Sequence, residues 1–511
     1  MQSADLIHEA IAQQAAAKPR ATAVISGAQR LSYAELDAAA AGVANQLHDR
    51  GVRHGTVIPV ILPRSAQLIT VLLGILKSGA AYAAMDPNWP SERVRALVET
   101  LDPPVLVGAL PQSQQGNVPN WLPPATGSAS SDVAAPLTDV SGDDPATVFF
   151  TSGTSGRPKG VLSPHRATTR LFKESTDWWP AGATVAQVAP SSWDAFSLEV
   201  WGTLLTGGTC VMSPSSHLLP AGLRALISEE RVDTVFLTTS LFNFLVEEDV
   251  GCFRGLRRVL LGGERLSVDH VRTCLETHPQ LALSNCYGPV ESCVFASVHA
   301  ISRHDCDISD GIPLGTAVPG TTIHVLSGGQ PALPGVVGEI CLSGDGLALG
   351  YLTNPELTAA KFPTKHIDGA ARRIYRTGDL GWINRDGLLH FSGRADRQFK
   401  IAGHRVEPAE IEAAGRTVPG IRECVVLPIT GSSDRVVQMA MFYVPESSVP
   451  AGARPPSPAT VRNALSTRLP RYLIPHLLRP RVTFPLTSHG KVDRAALLAS
   501  LSSSPHPVSD R

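Results

Sequence analysis

Residues 149–160 read FFTSGTSGRPKG, and nine of these twelve are Thr, Ser, Gly, Arg or Lys. Such a stretch suits the holding of phosphate oxygens. Gly153 and Gly156 permit close backbone approach, Thr151, Ser152, Thr154 and Ser155 offer hydroxyl donors, and Lys159 adds a charge. It is not a Walker loop: Lys159 follows Pro158 and precedes Gly160 and Val161, so no hydroxyl after the lysine can reach a magnesium ion. Taken alone, the stretch reads as a phosphate loop at a strand end or as a solvated linker.

The elements that would carry it are legible as an alternation. TAVIS (22–26), VIPVIL (57–62), PVLVG (104–108), TVFFT (147–151), TVAQVAP (184–190), TCVMS (209–213), TVFLT (234–238) and RRVLLGG (257–263) read as strands. Amphipathic stretches such as 34–51 and 220–232 lie between them, which predicts α/β layers with largely parallel sheets. The most apolar segment, 68–85, is interrupted by Lys77, Ser78 and Gly79, and is expected to be a buried helix followed by a strand rather than a membrane span. Residues 111–146, rich in Pro, Ser, Gly and Ala, read as a long surface connection. Beyond 395 the texture changes to strand, helix, strand, and a second αβ set follows at 438–500. This predicts a large domain over 1–395 and a small one over 396–511, with a tail from about 500.

Bulk properties narrow the function classes. In 511 residues, 44 Lys and Arg nearly balance 45 Asp and Glu, without charged runs, so neither nucleic acid nor an anionic membrane is an expected partner. The eight cysteines form no CxxC pair or zinc-like spacing and read as reduced, buried thiols of a cytoplasmic protein. The N-terminus lacks the basic and apolar regions of a secretory signal.

The opening stretch resembles the signature loop of the adenylate-forming superfamily, and further family motifs follow in order along the chain. They are LSYAEL (31–36), LKSGAAYAAMD (76–86), NCYGPVE (285–291), GEICLSGDGLALGYL (338–352), YRTGDL (375–380), GRADRQFKIAGHRVEPAEIE (393–412), LPRYLIP (469–475) and HGKVDR (489–494). The resemblance implies a large N-terminal domain, with two αβ subdomains and a small β-barrel-like part, and a small mobile α+β C-terminal domain. It also implies ATP and magnesium. In such an enzyme a carboxylate attacks the α-phosphorus and pyrophosphate leaves, with charge repulsion offset by fixed positive groups and a metal.

By that resemblance Lys491 is the catalytic lysine between substrate carboxylate and nucleotide, and Lys159 serves the phosphates. Glu291 helps hold magnesium, Tyr287 lies against adenine with Gly288 beside it, Asp379 binds the ribose hydroxyls, and Arg394 contacts ribose or phosphate. Asp396 is the hinge, about which the small domain would present either Lys491 or the segment around Lys400 and Gly403. Two positions depart from the family pattern: Val290 stands where a threonine is usual, and Leu349 where an arginine is usual.

SSWDAFSLEVW (191–201) resembles the segment of nonribosomal peptide synthetase adenylation domains whose aspartate grips an α-ammonium, here Asp194. An acid among Trp193 and Phe196 in a buried segment needs a cationic partner, which a fatty or aryl acid does not supply. The remaining lining implied by the resemblance is Ala195, Leu198, Phe236, Leu260, Gly262, Cys286, Val294 and Phe295, closed by Lys491. Without further charge or strong hydrogen-bonding groups, this pocket is expected to take valine, 2-aminobutyrate or isoleucine. No Gly-Gly-x-Ser carrier turn follows Arg494, so the expected acceptor is the phosphopantetheine thiol of a separate carrier protein. A requirement for a small MbtH-like activator is left open. Two alternatives stand beside this reading: an acyl- or aryl-CoA ligase of the same fold, and a catalytically silent nucleotide-binding partner.

Overall fold

The computed structural model describes residues 5–108, 118–123, 139–153, 156–174, 176–215, 217–431, 436–446, 455–487 and 491–502. Most of the long connection at 111–146, Thr154 and Ser155 of the opening stretch, and the tail beyond 502 lie outside the described residues. The chain divides into two compact units. The first comprises Met1–Pro87, Arg95–Thr151 and Lys159–Asp396; the second comprises Asn88–Val94, Ser152–Pro158 and Arg397–Arg511.

In the first unit, among the described residues, a nine-stranded sheet has at its centre the parallel strands Ala282–Tyr287, Arg258–Gly262, Thr234–Thr238, Thr184–Gln187, Thr209–Met212 and Thr22–Ser26, in that spatial order. Antiparallel strands close both edges. The register sets Phe236 beside Leu260, and Gly262 beside Cys286. Residues two apart on a strand share a face, so these four side-chain positions line one side of the sheet. Their neighbours Val235, Leu237, Val259, Leu261 and Leu283 fill a separate apolar core on the other side.

The second sheet of this unit has seven strands among the described residues, with Pro145–Thr151 and Lys159–Pro164 paired antiparallel so that Thr151 opposes Lys159. The apolar segment does form a helix, Ala66–Lys77, followed by the strand Ala81–Ala84 of this sheet. Ser65 caps the helix by accepting the N–H of Leu68, and Lys77 in its last turn pairs with Asp37 at 2.8 Å. No described helix is long and apolar enough to cross a membrane. A five-stranded antiparallel sheet, Gln330–Pro331 through Leu389–Arg394, and a two-stranded hairpin, Thr364–Ile367 with Ala370–Arg373, complete the unit among the described residues.

The second unit contains the helix Pro408–Arg416 and the paired strands Ile421–Thr430 and Val436–Pro445, with Leu477–Pro480 parallel to the latter. One local expectation is corrected here. RQFKIAGHRV is a hairpin rather than one strand, with Phe399–Ile401 returning as His404–Val406. Ala402 and Gly403, at φ 50° and 81°, make the two-residue turn whose twist suits paired strands. The helix and strand expected after it do form.

Candidate active site

Lys159 begins its strand immediately after the loop, and this places an ammonium in the interior of the first unit, only 7% exposed. Its Nζ stands 3.5 Å from Oε1 of the wholly buried Glu291. The Tyr351 hydroxyl donates to the same Oε1 at 2.8 Å, and Nζ lies 5.0 Å from the Tyr351 ring centroid. A buried carboxylate needs such partners, since removal from water otherwise disfavours its charge. Tyr351 falls within LALGYL, where its hydroxyl leaves no signal, because a tyrosine after a glycine reads equally as core.

Glu291 lies in a short 3₁₀ turn, Val290–Ser292, that follows the strand Ala282–Tyr287. One carboxylate is a sufficient protein share for magnesium, which keeps waters and takes its other ligands from substrate phosphates. Among the described residues no cluster of three His, Cys, Asp or Glu suits a metal cage. Glu291 thus fits a metal that arrives with a nucleotide. Val290 is half-buried and joins the apolar packing, offering no hydrogen bond from its side chain.

A second constellation links Tyr287, Asp379, Arg394 and Asp396. The Tyr287 hydroxyl donates to Asp379 Oδ2 at 2.6 Å, and Arg394 Nη1 donates to Asp379 Oδ1. Burial, then the Asp379 carboxylate, pushes the Tyr287 phenol well above its ordinary pKa, so it remains a donor. Arg394 also holds Asp396 with two parallel bonds of 2.8 Å, the geometry a guanidinium favours with a carboxylate. Each carboxylate oxygen of Asp379 retains a further lone pair for a sugar hydroxyl. The exposed Asp396 is the last residue of the first unit.

Asp194 starts the helix Asp194–Ser197, and its Oδ2 accepts the backbone N–H of Val294 at 3.2 Å. It is half-buried rather than buried. Ala195, Leu198, Phe236, Leu260, Cys286, Val294 and Phe295 belong to one apolar cluster, so seven of the expected lining positions are brought together. Gly262 stands beside them: a Cβ there would lie 2.7 Å from the Cys286 carbonyl oxygen and 3.4 Å from the Phe236 ring. The Phe236 and Phe295 rings meet with centroids 5.9 Å apart. In the turn that follows the helix Asp194–Ser197, the buried Glu199 accepts the N–H groups of Val188 and Ala189.

Where the family pattern has an arginine, Leu349 offers its carbonyl to Arg373, whose guanidinium bonds Ala348 O at 2.9 Å and Leu349 O at 2.8 Å. Gly288 has no room for a side chain, since a Cβ would approach the Val294 carbonyl oxygen to 2.3 Å.

Thr151 ends the strand Pro145–Thr151 of the first unit, Thr154 and Ser155 lie outside the described residues, and the remaining predicted residues lie in the second unit. Ser152 Oγ donates to the Arg405 carbonyl at 2.8 Å, and the Gly153 N–H donates to Glu410 at 3.2 Å. A Cβ on Gly153 would fall 1.7 Å from the Arg157 carbonyl oxygen, so only glycine fits this turn. Gly156 adopts φ 84°. Lys400 pairs with Arg405 across the hairpin whose turn holds Gly403. Lys491 is exposed, and its carbonyl accepts the Thr487 N–H at 2.7 Å.

Residues 11–352 match the family described as AMP-binding enzyme. Tyrocidine synthase 3 of Brevibacillus parabrevis is 35% identical over 499 residues, covering 96% of this chain and 8% of that protein. Bacitracin synthase 3 of Bacillus licheniformis is 35% identical over 504 residues, again covering 96% and 8%. The chain therefore spans less than a tenth of the length of these relatives. Among solved structures, holo-PA1221, an NRPS protein containing adenylation and PCP domains, bound to a vinylsulfonamide inhibitor, aligns with a TM-score of 0.86 at 34% identity. That alignment covers 97% of this chain and 84% of the other.

Proposed function

We propose a substrate class from one premise: the chain belongs to the AMP-binding enzyme family and is an adenylating ligase of the nonribosomal peptide synthetase kind. The substrate is a small aliphatic L-amino acid, namely valine, 2-aminobutyrate or isoleucine. Its carboxylate oxygen attacks the α-phosphorus of ATP, the bond to the pyrophosphate oxygen breaks, and aminoacyl-AMP forms. The aminoacyl group then passes to the phosphopantetheine thiol of a carrier protein, with AMP as the leaving group.

The observation that carries this reading is Asp194 at the edge of the apolar cluster formed by Ala195, Leu198, Phe236, Leu260, Cys286, Val294 and Phe295. The carboxylate would receive the α-ammonium, while the lining would receive an alkyl side chain. An acidic, basic or amide side chain would lose its hydrogen bonds there.

Lys159 binds and neutralises phosphate charge, and Tyr351 orients Glu291. Asp379 and Arg394 seat the ribose, with the Tyr287 ring against adenine and Gly288 beside it. Thr151, Ser152, Gly153, Thr154, Ser155 and Gly156 hold the β- and γ-phosphates. Lys491 bridges the substrate carboxylate and the nucleotide. Glu291 would hold magnesium, whose contribution when bound is to offset phosphate charge. Asp396 is assigned to the hinge, and Lys400 and Gly403 to thioester formation. Eight buried free cysteines support a reducing, cytoplasmic setting.

The test is Asp194→Ala, assayed for amino-acid-dependent ATP–pyrophosphate exchange and for transfer to a carrier thiol or free coenzyme A. We expect loss of amino-acid use, with a carrier as the wild-type acceptor. Retained use of the amino acid would remove Asp194 from substrate recognition, and preference for coenzyme A would favour the acyl-CoA ligase alternative.

A further inference from the structure

One wall of the pocket is built from strained backbone. Cys293 and Val294 have φ of 46° and 65°, and a β-branched residue in the left-handed region persists only when its surroundings over-determine it. The constraint comes from Arg170, which is 2% exposed and lies outside the pocket lining. Its Nη2 donates to the carbonyls of Ser292 at 3.0 Å and Phe295 at 2.7 Å, the residues immediately before and after the strained pair. Its Nη1 bonds the Ala167 carbonyl at 2.6 Å, and its Nε reaches Thr321 Oγ1 at 3.3 Å.

The guanidinium occupies a slot made to its size. A Cβ on Gly346 would lie 2.4 Å from Nη2, and one on Gly320 3.3 Å from Cδ. Burial draws the Arg170 pKa down to about 10, which leaves it cationic at neutral pH.

The clamped segment presents three features to the pocket. The Val294 N–H meets Asp194, the Val294 side chain faces the apolar cluster, and the Phe295 ring packs against Phe236 and, at 6.0 Å, Trp178. We propose that Arg170 is a positioning residue for amino-acid specificity. By tying the Ser292 and Phe295 carbonyls together, it fixes the wall that gauges the substrate side chain and the N–H that orients Asp194. This rests on the amino-acid reading above. A lysine cannot replace it in kind, because one ammonium cannot meet the Ser292, Phe295 and Ala167 carbonyls and Thr321 Oγ1 together, which the planar guanidinium reaches from three separate nitrogens.

The test compares wild-type protein with Arg170→Lys and Gly346→Ala in ATP–pyrophosphate exchange, using the preferred amino acid and its one-methylene homologue. Gly346→Ala keeps the whole of Arg170 while crowding its guanidinium, so it provides the comparison should Arg170→Lys not fold. Both variants should raise KM for the amino acid roughly tenfold and leave KM for ATP within about twofold, the split expected when only substrate positioning is lost. Discrimination against the homologue, ordinarily ~10–200-fold in an apolar pocket, should fall to within about threefold. Unchanged selectivity in the folded variants, or equal loss for both substrates, would overturn the inference. Wild-type protein that exchanges with no amino acid would instead overturn the functional reading on which it rests.

Discussion

Lys159 and Glu291 neutralise one another at 3.5 Å inside the first unit, with the Tyr351 hydroxyl completing the contact at 2.8 Å. The cation assigned to phosphate and the carboxylate assigned to magnesium are thus held as an ion pair. Taking two charges out of water is costly, and the pairing recovers much of that cost. A substrate that brings both phosphates and a metal can replace each partner with another of the same sign.

Glu291→Gln should therefore lose at least ~10²-fold in exchange rate, the scale of removing one preorganised charged group. It should also lower stability by about 3 kcal/mol, because Lys159 is left buried opposite an amide. Tyr351→Phe keeps both charges and deletes one hydrogen bond to a carboxylate. Its exchange should fall about tenfold, corresponding to ~1.4 kcal/mol. Exchange kinetics and urea unfolding measure both effects; near-normal exchange in Glu291→Gln would remove that residue from the chemistry.

Lys491→Ala should reduce adenylation at least ~10²-fold. Because the side chain is exposed and its neighbour Thr487 bonds only main-chain atoms of Lys491, stability should move by no more than about 0.5 kcal/mol. Kinetics and a thermal melt on one preparation separate the two. A variant that melts normally and exchanges normally would contradict the assignment.

The buried His165 accepts the Ile7 N–H at Nδ1 and meets His8 edge-on at 5.4 Å. Burial foremost, then His8, with Asp144 opposing, lowers its pKa to about 3. The folded state thus binds fewer protons than the unfolded state between about pH 3 and 6.5. Stability from this group is present above pH 6.5 and is lost as pH falls through that window. From pH 8 to pH 5 the loss due to His165 should be about 2 kcal/mol. His165→Gln keeps an acceptor for Ile7 and should flatten that part of the profile. Parallel urea-unfolding profiles for the two proteins would show that the buried imidazole is not the source.

Much of this arrangement is legible from residue order. The eight strands read from β-branched runs all form, and the alternating faces of Thr234–Thr238 and Arg258–Gly262 bring Phe236, Leu260 and Gly262 to one side. Period two is a strong signal when one face lines a pocket and the other a core. The partners of the site residues are not legible. Arg170 in HRATTRLF reads as an ordinary charged helix end, and only long-range folding brings the carbonyls of Ser292 and Phe295 to it. Glu199 reads as a helix-surface acid, yet its carboxylate is buried on the N–H groups of Val188 and Ala189. The Ala402–Gly403 turn escapes a reading by residue type because an alanine seldom signals positive φ.

The central claim is that Asp194 and its apolar surroundings select a small aliphatic amino acid. The most direct measurement is ATP–pyrophosphate exchange by the wild-type protein across the twenty standard amino acids, 2-aminobutyrate and 3-methylbutanoate, the analogue of valine without its amino group. Valine, 2-aminobutyrate or isoleucine should exchange best, close homologues should follow within the ~10–200-fold that a methylene allows, and 3-methylbutanoate should be inert. Best exchange with an aromatic or charged amino acid, or exchange with 3-methylbutanoate equal to that with valine, would contradict the account.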